Sequence, residues 1–495
     1  MKKMLIFLCV LLGLSISVSA ITRDKMLKAA YIDITGSTLS LIPEEGVKSC
    51  NIILFAFADP KRETMTENEL QAIKKVFEME APGTKNFLSI GGQFAELKEL
   101  PDPKTVVHNI NGQMNHVNNC KFVEGVKIDG VDIDLENSIP SKIITELAEG
   151  FKNQKWLVSI APQVLSTDYK AINPSDPTNL GLTSGYVEAK ENCNQYHQAI
   201  IDGNVDYIML QPYNTLDVSL KVGDKEYFEC DVDFLKYIAK AMNNSDLFKG
   251  HDYPKILIGT PANQGAGNYS IFNEKGKKSP PVYKYDQAKI LAELNKDLRE
   301  MEHEPKNYDK VSGIMVWSLN NDYGPLSFEE KDNDAYATPG GFCIPIFGAK
   351  PVENVYFKFS IVNYADYNAA CLELVVDGKE YVFKNEHGNN IPPSGVTCWA
   401  TQASYEQDPA RIINSEVFNS LFKDGKKSFE AKVGVRVFTG DSGPNTPAAT
   451  ANLGSFNFER GSVYELHTKP NGTNAFEIAQ YHSNLLRDGK SINGK

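Results

Sequence analysis

An α/β chain, a (β/α)8 barrel followed by a C-terminal, mainly-β, sandwich-like module, is the fold class that three observations predict. Eight short apolar runs recur between residues 29 and 317, separated by segments with apolar residues at helical spacing. After Pro345 that alternation stops, and strand-like runs follow one another between Gly, Asn, Asp and Pro turns. A chain of 495 residues also exceeds one comfortable core, so two folded units are expected.

The first twenty residues are read as a secretory leader. Lys2 and Lys3 precede an apolar run from Met4 to Leu14, and small residues at Val18 and Ala20 suit cleavage after Ala20. That apolar run is too short to span a bilayer comfortably. The eight runs that follow are 29–35, 51–58, 85–90, 130–135, 156–160, 205–210, 255–259 and 313–317. Between them, 67–80, 143–154, 231–242 and 284–301 carry helical spacing. Strand-helix alternation implies parallel strands joined by right-handed crossovers, and eight units close a barrel. Stretches 165–185 and 263–281 are the insertions that make this unit longer than usual. The barrel is assigned to 21–348 and the accessory unit to 349–495. Within the latter, strands are expected at 356–362, 372–376, 380–384, 396–401, 428–438 and 462–467, with a short helix near 412–421 and a terminal helix over 475–486.

Composition narrows the partners. The formal net charge is −12, or −14 once Lys2 and Lys3 leave with the leader, which disfavours nucleic acid and anionic membrane surfaces and suits a neutral ligand. No later segment is long and apolar enough to cross a membrane. Eight cysteines include Cys9 of the leader, and none of the other seven has zinc-ligand spacing. In an oxidising compartment Cys193–Cys230 and Cys371–Cys398 are plausible pairs by proximity in sequence. Sequons stand at Asn243, Asn268 and Asn471.

Residues 129–136 read Asp-Gly-Val-Asp-Ile-Asp-Leu-Glu. On a strand, period two places Asp132, Asp134 and Glu136 on one face and Val131, Ile133 and Leu135 on the other. Three like charges in a row repel and raise each other's pKa. The octet is therefore a metal site or a proton-sharing acid catalyst, against the plainer alternative of a solvated strand face. Other polar or aromatic residues also fall at the carboxyl ends of the runs, where a barrel keeps its chemistry: Ser89 to Gly92, Gln163, Gln211 to Asn214 and Trp317. The seventh run ends in Thr260-Pro261-Ala262. No HExxH, G-x-S-x-G or P-loop pattern occurs.

At this point the chain resembles a known family. Asp129, Asp132, Asp134 and Glu136 match the DxxDxDxE signature of glycoside hydrolase family 18, the chitinases and their relatives. Ser89-Ile90-Gly91-Gly92 is similar to that family's SxGG strand, and Tyr31 and Phe55 sit in runs similar to its first and second strands. Ala161-Pro162-Gln163 and Gln211-Pro212-Tyr213-Asn214 resemble the plant and fungal type, and 313–318 resembles the closing strand. The agreement is ordered and spans most of 27–322; it does not cover the C-terminal unit.

The resemblance implies a secreted endo-chitinase acting on chitin or other N-acetylglucosamine oligosaccharides, with no cofactor and no metal. Glu136 would be the acid, Asp134 and Asp132 its proton-sharing supports, and the substrate's own 2-acetamido oxygen the nucleophile. Tyr213 would align the acetamido group, and Trp317 would floor the sugar at the cleaved bond. Gln163, Gln211, Asn214, Tyr31 and Phe55 would line the cleft. Asp129, Ser89, Gly91 and Gly92 would be structural. Trp317 and Tyr213 also have a plainer reading as core residues. Two other functions stay open: an endo-β-N-acetylglucosaminidase cutting N-glycan cores, and a sugar-binding or inhibitory protein on a silenced scaffold. The C-terminal unit either holds polysaccharide near the cleft or is a structural appendage. Its only tryptophan is Trp399, and Tyr356, Tyr364, Tyr367 and Tyr381 are its candidate aromatic surface.

Overall fold

The computed structural model describes residues 26–350 except 36–38, 40–41, 94–99, 186–193, 216–217, 249–253, 264–265, 268, 275–286, 305–307 and 324–339. Beyond 350 it describes 356–360, 369–383, 412–414, 428–438, 449–459, 462–468, 476–482 and 490–492. The leader, Asn268, Asn471, Trp399, Tyr364, Tyr367 and the strand expected at 396–401 lie outside these residues.

Eight parallel strands close a barrel. In chain order they are β1 (Leu27–Asp33), β2 (Ile52–Ala56), β3 (Lys85–Gly92), β4 (Gly130–Leu135), β5 (Leu157–Ile160), β8 (Tyr207–Leu210), β11 (Lys255–Pro261) and β12 (Val311–Trp317), with β12 pairing back onto β1. All eight apolar runs are strands of this ladder. The gaps in numbering are two hairpins inside the βα connections: β6 (Gln163–Ser166) with β7 (Leu180–Thr183), and β9 (Ser219–Val222) with β10 (Lys225–Phe228). The first hairpin fills most of the 165–185 insertion.

The helices wrap this ladder. They are α1 (Glu44–Lys48), α2 (Glu67–Phe77), α3 (Pro103–Cys120), α4 (Ser141–Asn153), α5 (His197–Ile201), α6 (Val232–Asn244), α7 (Gln287–His303) and a last one over Leu319–Tyr323. Local chemistry starts them where they start. Thr66 caps α2 in a reciprocal box with Glu69, and Asp102 accepts the Lys104 and Thr105 amides ahead of Pro103 in α3.

Period two divides the strands between two cores. The lumen holds Ala29, Tyr31, Leu54, Ala56, Phe87, Met209, Leu257 and Met315. The layer between strands and helices holds the alternate residues, such as Ile32, Ile53, Phe55, Val131, Ile133 and Leu135. The lumen is filled with side chains, and function is left to its carboxyl-terminal mouth.

Beyond residue 350 every described element is a strand. Five form one sheet in the order β16-β13-β19-β20-β21, from Ile412–Asn414, Tyr356–Ser360, Ser462–Thr468, Phe476–His482 and Lys490–Ile492. Four form another in the order β15-β14-β17-β18, from Lys379–Phe383, Ala369–Val376, Ser428–Phe438 and Ala449–Glu459. Tyr356 and Tyr381 belong to β13 and β15.

Three expectations change here. Ile412–Asn414 is a strand against β13 rather than the start of a helix. Phe476–His482 is also a strand, because an antiparallel ladder with β19 supplies backbone partners along its whole length, and long-range pairing overrides helical spacing. Asn243 is no glycan acceptor in this fold: it is buried, and its Oδ1 accepts the Lys310 amide at 3.1 Å. Both candidate disulfides involve a residue outside the described set, Cys193 or Cys398. Among the described residues there is no disulfide, and Cys50 and Cys343 are buried thiols. No described helix is long and apolar enough to cross a membrane.

Candidate active site

The acidic octet forms β4 and the residue that follows it. Asp132 is fully buried, Asp134 nearly so, and Glu136 half-buried at the mouth. Asp132 Oδ2 accepts Ser89 Oγ at 2.7 Å and Tyr31 OH at 2.9 Å, which joins β1, β3 and β4 across the lumen. Its Oδ1 has no hydrogen-bond partner among the described residues. Asp134 Oδ1 accepts Gln211 Nε2 at 2.7 Å, and the same amide group also reaches the Ala161 carbonyl at 3.1 Å. Gln163 Nε2 stands 3.5 Å from Glu136 Oε2.

Burial governs the protonation of this row. Desolvation pushes Asp132 up, opposed by its hydroxyl donors. It pushes Asp134 well above the usual range, and the charges of Glu136 and Asp132 add to it. Glu136 is pushed up to about 7 by burial. The Tyr213 hydroxyl, also buried, stays protonated because desolvation and the carboxylates Asp134 and Glu136 all oppose its ionisation. Burial thus works against the fully ionised row that a metal-binding cluster of carboxylates needs.

An aromatic wall borders the acids. The Trp317 ring, half-buried at the end of β12, is tilted against Tyr31 with centroids 5.2 Å apart and stacked on Phe57 at 5.7 Å. Gly92 makes room for Phe57, since a Cβ there would lie 2.7 Å from the ring. Phe57 was not among the residues singled out in the sequence. Phe55 was, and the structure corrects that expectation: it pairs in register with Ile32, faces the helices, and packs edge-on against Phe77 at 5.8 Å. Two residues further along the chain, the next aromatic in the same strand exit reaches the mouth. Period two, carried from Tyr31 across the ladder to Leu54, turns Phe55 outward and would turn Phe57 outward as well; Phe57 reaches the mouth because β2 ends at Ala56 and the alternation stops there.

Asn214 follows Tyr213 at the exit of β8. It is exposed in a left-handed conformation (φ 64°), and its backbone N–H and side-chain oxygen bind the Tyr269 carbonyl and amide. It ties two loops of the mouth together. Asp129 lies on the opposite phase from the three acids, bound to Lys85 Nζ at 3.1 Å and to the Asn86 amide at 3.1 Å. Ser89 has more than a packing role, because it donates to Asp132.

The raised carboxyls predict how stability depends on pH. Burial pushes Glu136 to about 7, Glu80 to about 8 and Asp322 to about 6, all above the roughly 4 of an unfolded carboxyl. The folded state thus holds protons the unfolded chain has released, so stability falls as pH rises through this window. Burial lowers His197 to about 4, which opposes the trend only between there and the unfolded value of about 6.5. The decline is therefore cleanest between pH 6.5 and 8. Calorimetric Tm should drop across that interval, and Glu80→Gln should flatten it; a rising Tm would contradict the assignment.

No protein-family model matches the chain, and no curated protein matches it in sequence. Solved structures of similar fold include a chitinase from Ipomoea carnea, at 15% identity over 60% of this chain and 97% of that one, with TM-score 0.34. A glycoside hydrolase family 18 chitinase from the chitin utilization locus of Flavobacterium johnsoniae is similar at 15% identity, over 60% and 88%, with TM-score 0.35. A xylanase and alpha-amylase inhibitor protein from Scadoxus multiflorus is similar at 14% identity, over 59% and 93%, with TM-score 0.34. Chitinases and inhibitor proteins thus both occur among these neighbours. The barrel itself is established by its own closed ladder.

Proposed function

We propose that the chain is a secreted glycoside hydrolase that cleaves β-1,4 linkages of N-acetylglucosamine polymers, with retention and with the substrate's 2-acetamido oxygen as nucleophile. The observation that carries this reading is the row of buried and half-buried carboxyls Asp132, Asp134 and Glu136 at the barrel mouth, beside the aromatic wall of Trp317. Glu136, held near 7 at the mouth, keeps a proton to donate to a glycosidic oxygen at neutral pH. Burial and the charges of Glu136 and Asp132 push its neighbour Asp134 well above the usual carboxylate range, which disfavours an ionised second nucleophile. A retaining hydrolase without an ionised second carboxylate needs its nucleophile from the substrate, and an acetamido group supplies one.

The roles follow in order. The sugar lies on Trp317, whose ring Tyr31 and Phe57 brace. Tyr213 donates to the acetamido oxygen, and Asp134 supports the acetamido N–H as the ring closes onto the anomeric carbon. Glu136 passes its proton to the leaving oxygen. It then takes one from the water that opens the cyclic intermediate. Asp132, fixed by Ser89 and Tyr31, is the acceptor with which Asp134 can share its proton.

The test is release of a fluorophore from chitobiose and chitotriose conjugates, beside deglycosylation of an N-glycoprotein. Release from the chitin oligomers alone supports the proposal, and glycan release alone would move the specificity to N-glycan cores. Silence on all substrates would sink the enzyme reading. Because Glu136 must enter the reaction protonated, kcat should fall above about pH 7. A rate that keeps rising to pH 9 would rule this acid out.

A further inference from the structure

We propose that Tyr196 is a positioning residue for Glu136, its hydroxyl taking the place of the fifth barrel strand where β4 outruns it. The inference deepens the proposed function and rests on Glu136 being the acid. β4 and β5 pair from Gly130↔Leu157 to Ile133↔Ile160, and the ladder's last bond runs from the Ala161 amide to the Ile133 carbonyl at 3.1 Å. One more step of a parallel ladder would give the Leu135 N–H to the Ala161 carbonyl, and the Leu135 carbonyl to the Gln163 N–H. The chain turns away at Pro162 instead, into the β6–β7 hairpin. The Ala161 carbonyl is taken by Gln211 Nε2, the same group that holds Asp134.

Tyr196 fills the gap. Its hydroxyl accepts the Leu135 N–H at 3.1 Å and donates to the Leu135 carbonyl at 2.9 Å, with the Ile133 carbonyl 3.3 Å away. Both peptide groups flanking Leu135 are therefore held by one atom, and the second of them carries Glu136. The ring is fully buried, and burial keeps the hydroxyl protonated. Its own backbone N–H donates to the Leu182 carbonyl of β7 at 3.3 Å.

The same insertion holds the other side of Glu136. The Ser138 N–H donates to the Ser184 carbonyl at 2.6 Å, and Ser184 Oγ donates to the Ile139 carbonyl at 3.0 Å. Asn137 Nδ2 reaches the Gln93 carbonyl at 2.7 Å. Asn137 and Ser138 both adopt left-handed conformations (φ 67° and 59°), which non-glycine residues keep only where their surroundings enforce them. Glu136 thus projects from a short backbone segment fixed on both sides, and the hydroxyl of Tyr196 can be deleted with little change to the shape of its side chain.

Tyr196→Phe is the test. Freeing the segment should lower kcat by about 10- to 100-fold, because small misplacements of a reacting group cost that much, while KM stays within about threefold. Water reaching Glu136 should move the alkaline limb of kcat to lower pH, toward an ordinary glutamate. An unchanged kcat and pH limb would overturn the proposal, as would a variant that fails to fold, since the hydroxyl would then serve the fold rather than the site. If the wild-type chain cleaves no N-acetylglucosamine substrate, the proposed function falls by itself. The Glu136 carboxyl, followed by 13C NMR titration in both proteins, still decides the inference: a lower pKa in the variant supports it and an identical one refutes it.

Discussion

Glu136→Gln should lower kcat on chitin oligosaccharide conjugates by about 10²- to 10⁴-fold, with KM little changed, the range that loss of a general acid produces. The amide keeps the size of the carboxyl and its reach toward Gln163, so the sugar binding proposed at Trp317 should survive. What is lost is the proton, which no other described group at this position carries at a suitable pKa. Asp134 lies deeper in the row and is held by Gln211, and Tyr213 holds its proton more tightly than a free phenol. The substitution should also raise Tm at pH 8, where the wild-type chain must either bury a charge or hold a proton against solution. Full activity in the variant would remove Glu136 from the reaction, whatever happened to Tm.

Gly91→Ala should be the most damaging single-methyl change near the site. Gly91 adopts φ 118°, a region L side chains rarely enter, and a Cβ there would lie 2.0 Å from the Asp134 carbonyl oxygen. The obstructing atom is backbone of the neighbouring strand, paired in register with Gly91, so no side chain can rotate out of the way. Strain and overpacking together should cost about 2–5 kcal/mol. Relief can come only by moving β3 from β4, which displaces Asp134 from Gln211. The expected result is a lowered Tm of the barrel unit together with a fall in kcat of about tenfold or more at temperatures where it remains folded. Wild-type Tm and rate would show that the β3–β4 pair yields more easily than its geometry indicates.

The eight barrel strands were legible because each is a short apolar run between polar segments, and burial on both faces is what writes such runs. The octet was legible for the opposite reason: a lumen strand with carboxyls at alternate positions breaks that rule in a way few other environments allow. The β6–β7 and β9–β10 hairpins were not seen. Their strands are four residues long, and partners rather than propensity hold them in place. Strand β20 misled for the same reason, its spacing being compatible with a helix until β19 lies beside it.

Within the mouth, the sequence by itself determined the identities and the phase: which acids share a face, that Asp129 does not, and that Glu136 stands at a strand's end. Only the tertiary structure decided what surrounds them. It turned Phe55 outward and brought Phe57 onto Trp317, set Ser89 and Tyr31 on Asp132, and put Tyr196 under the backbone of Leu135. The physical reason is the range of the interactions. Alternation along a strand is a property of neighbours in sequence, fixed by backbone geometry. The desolvation and hydrogen bonds that set a carboxyl's pKa come from residues distant in sequence, Tyr31 reaching Asp132 across 101 positions, and these meet only when the barrel closes.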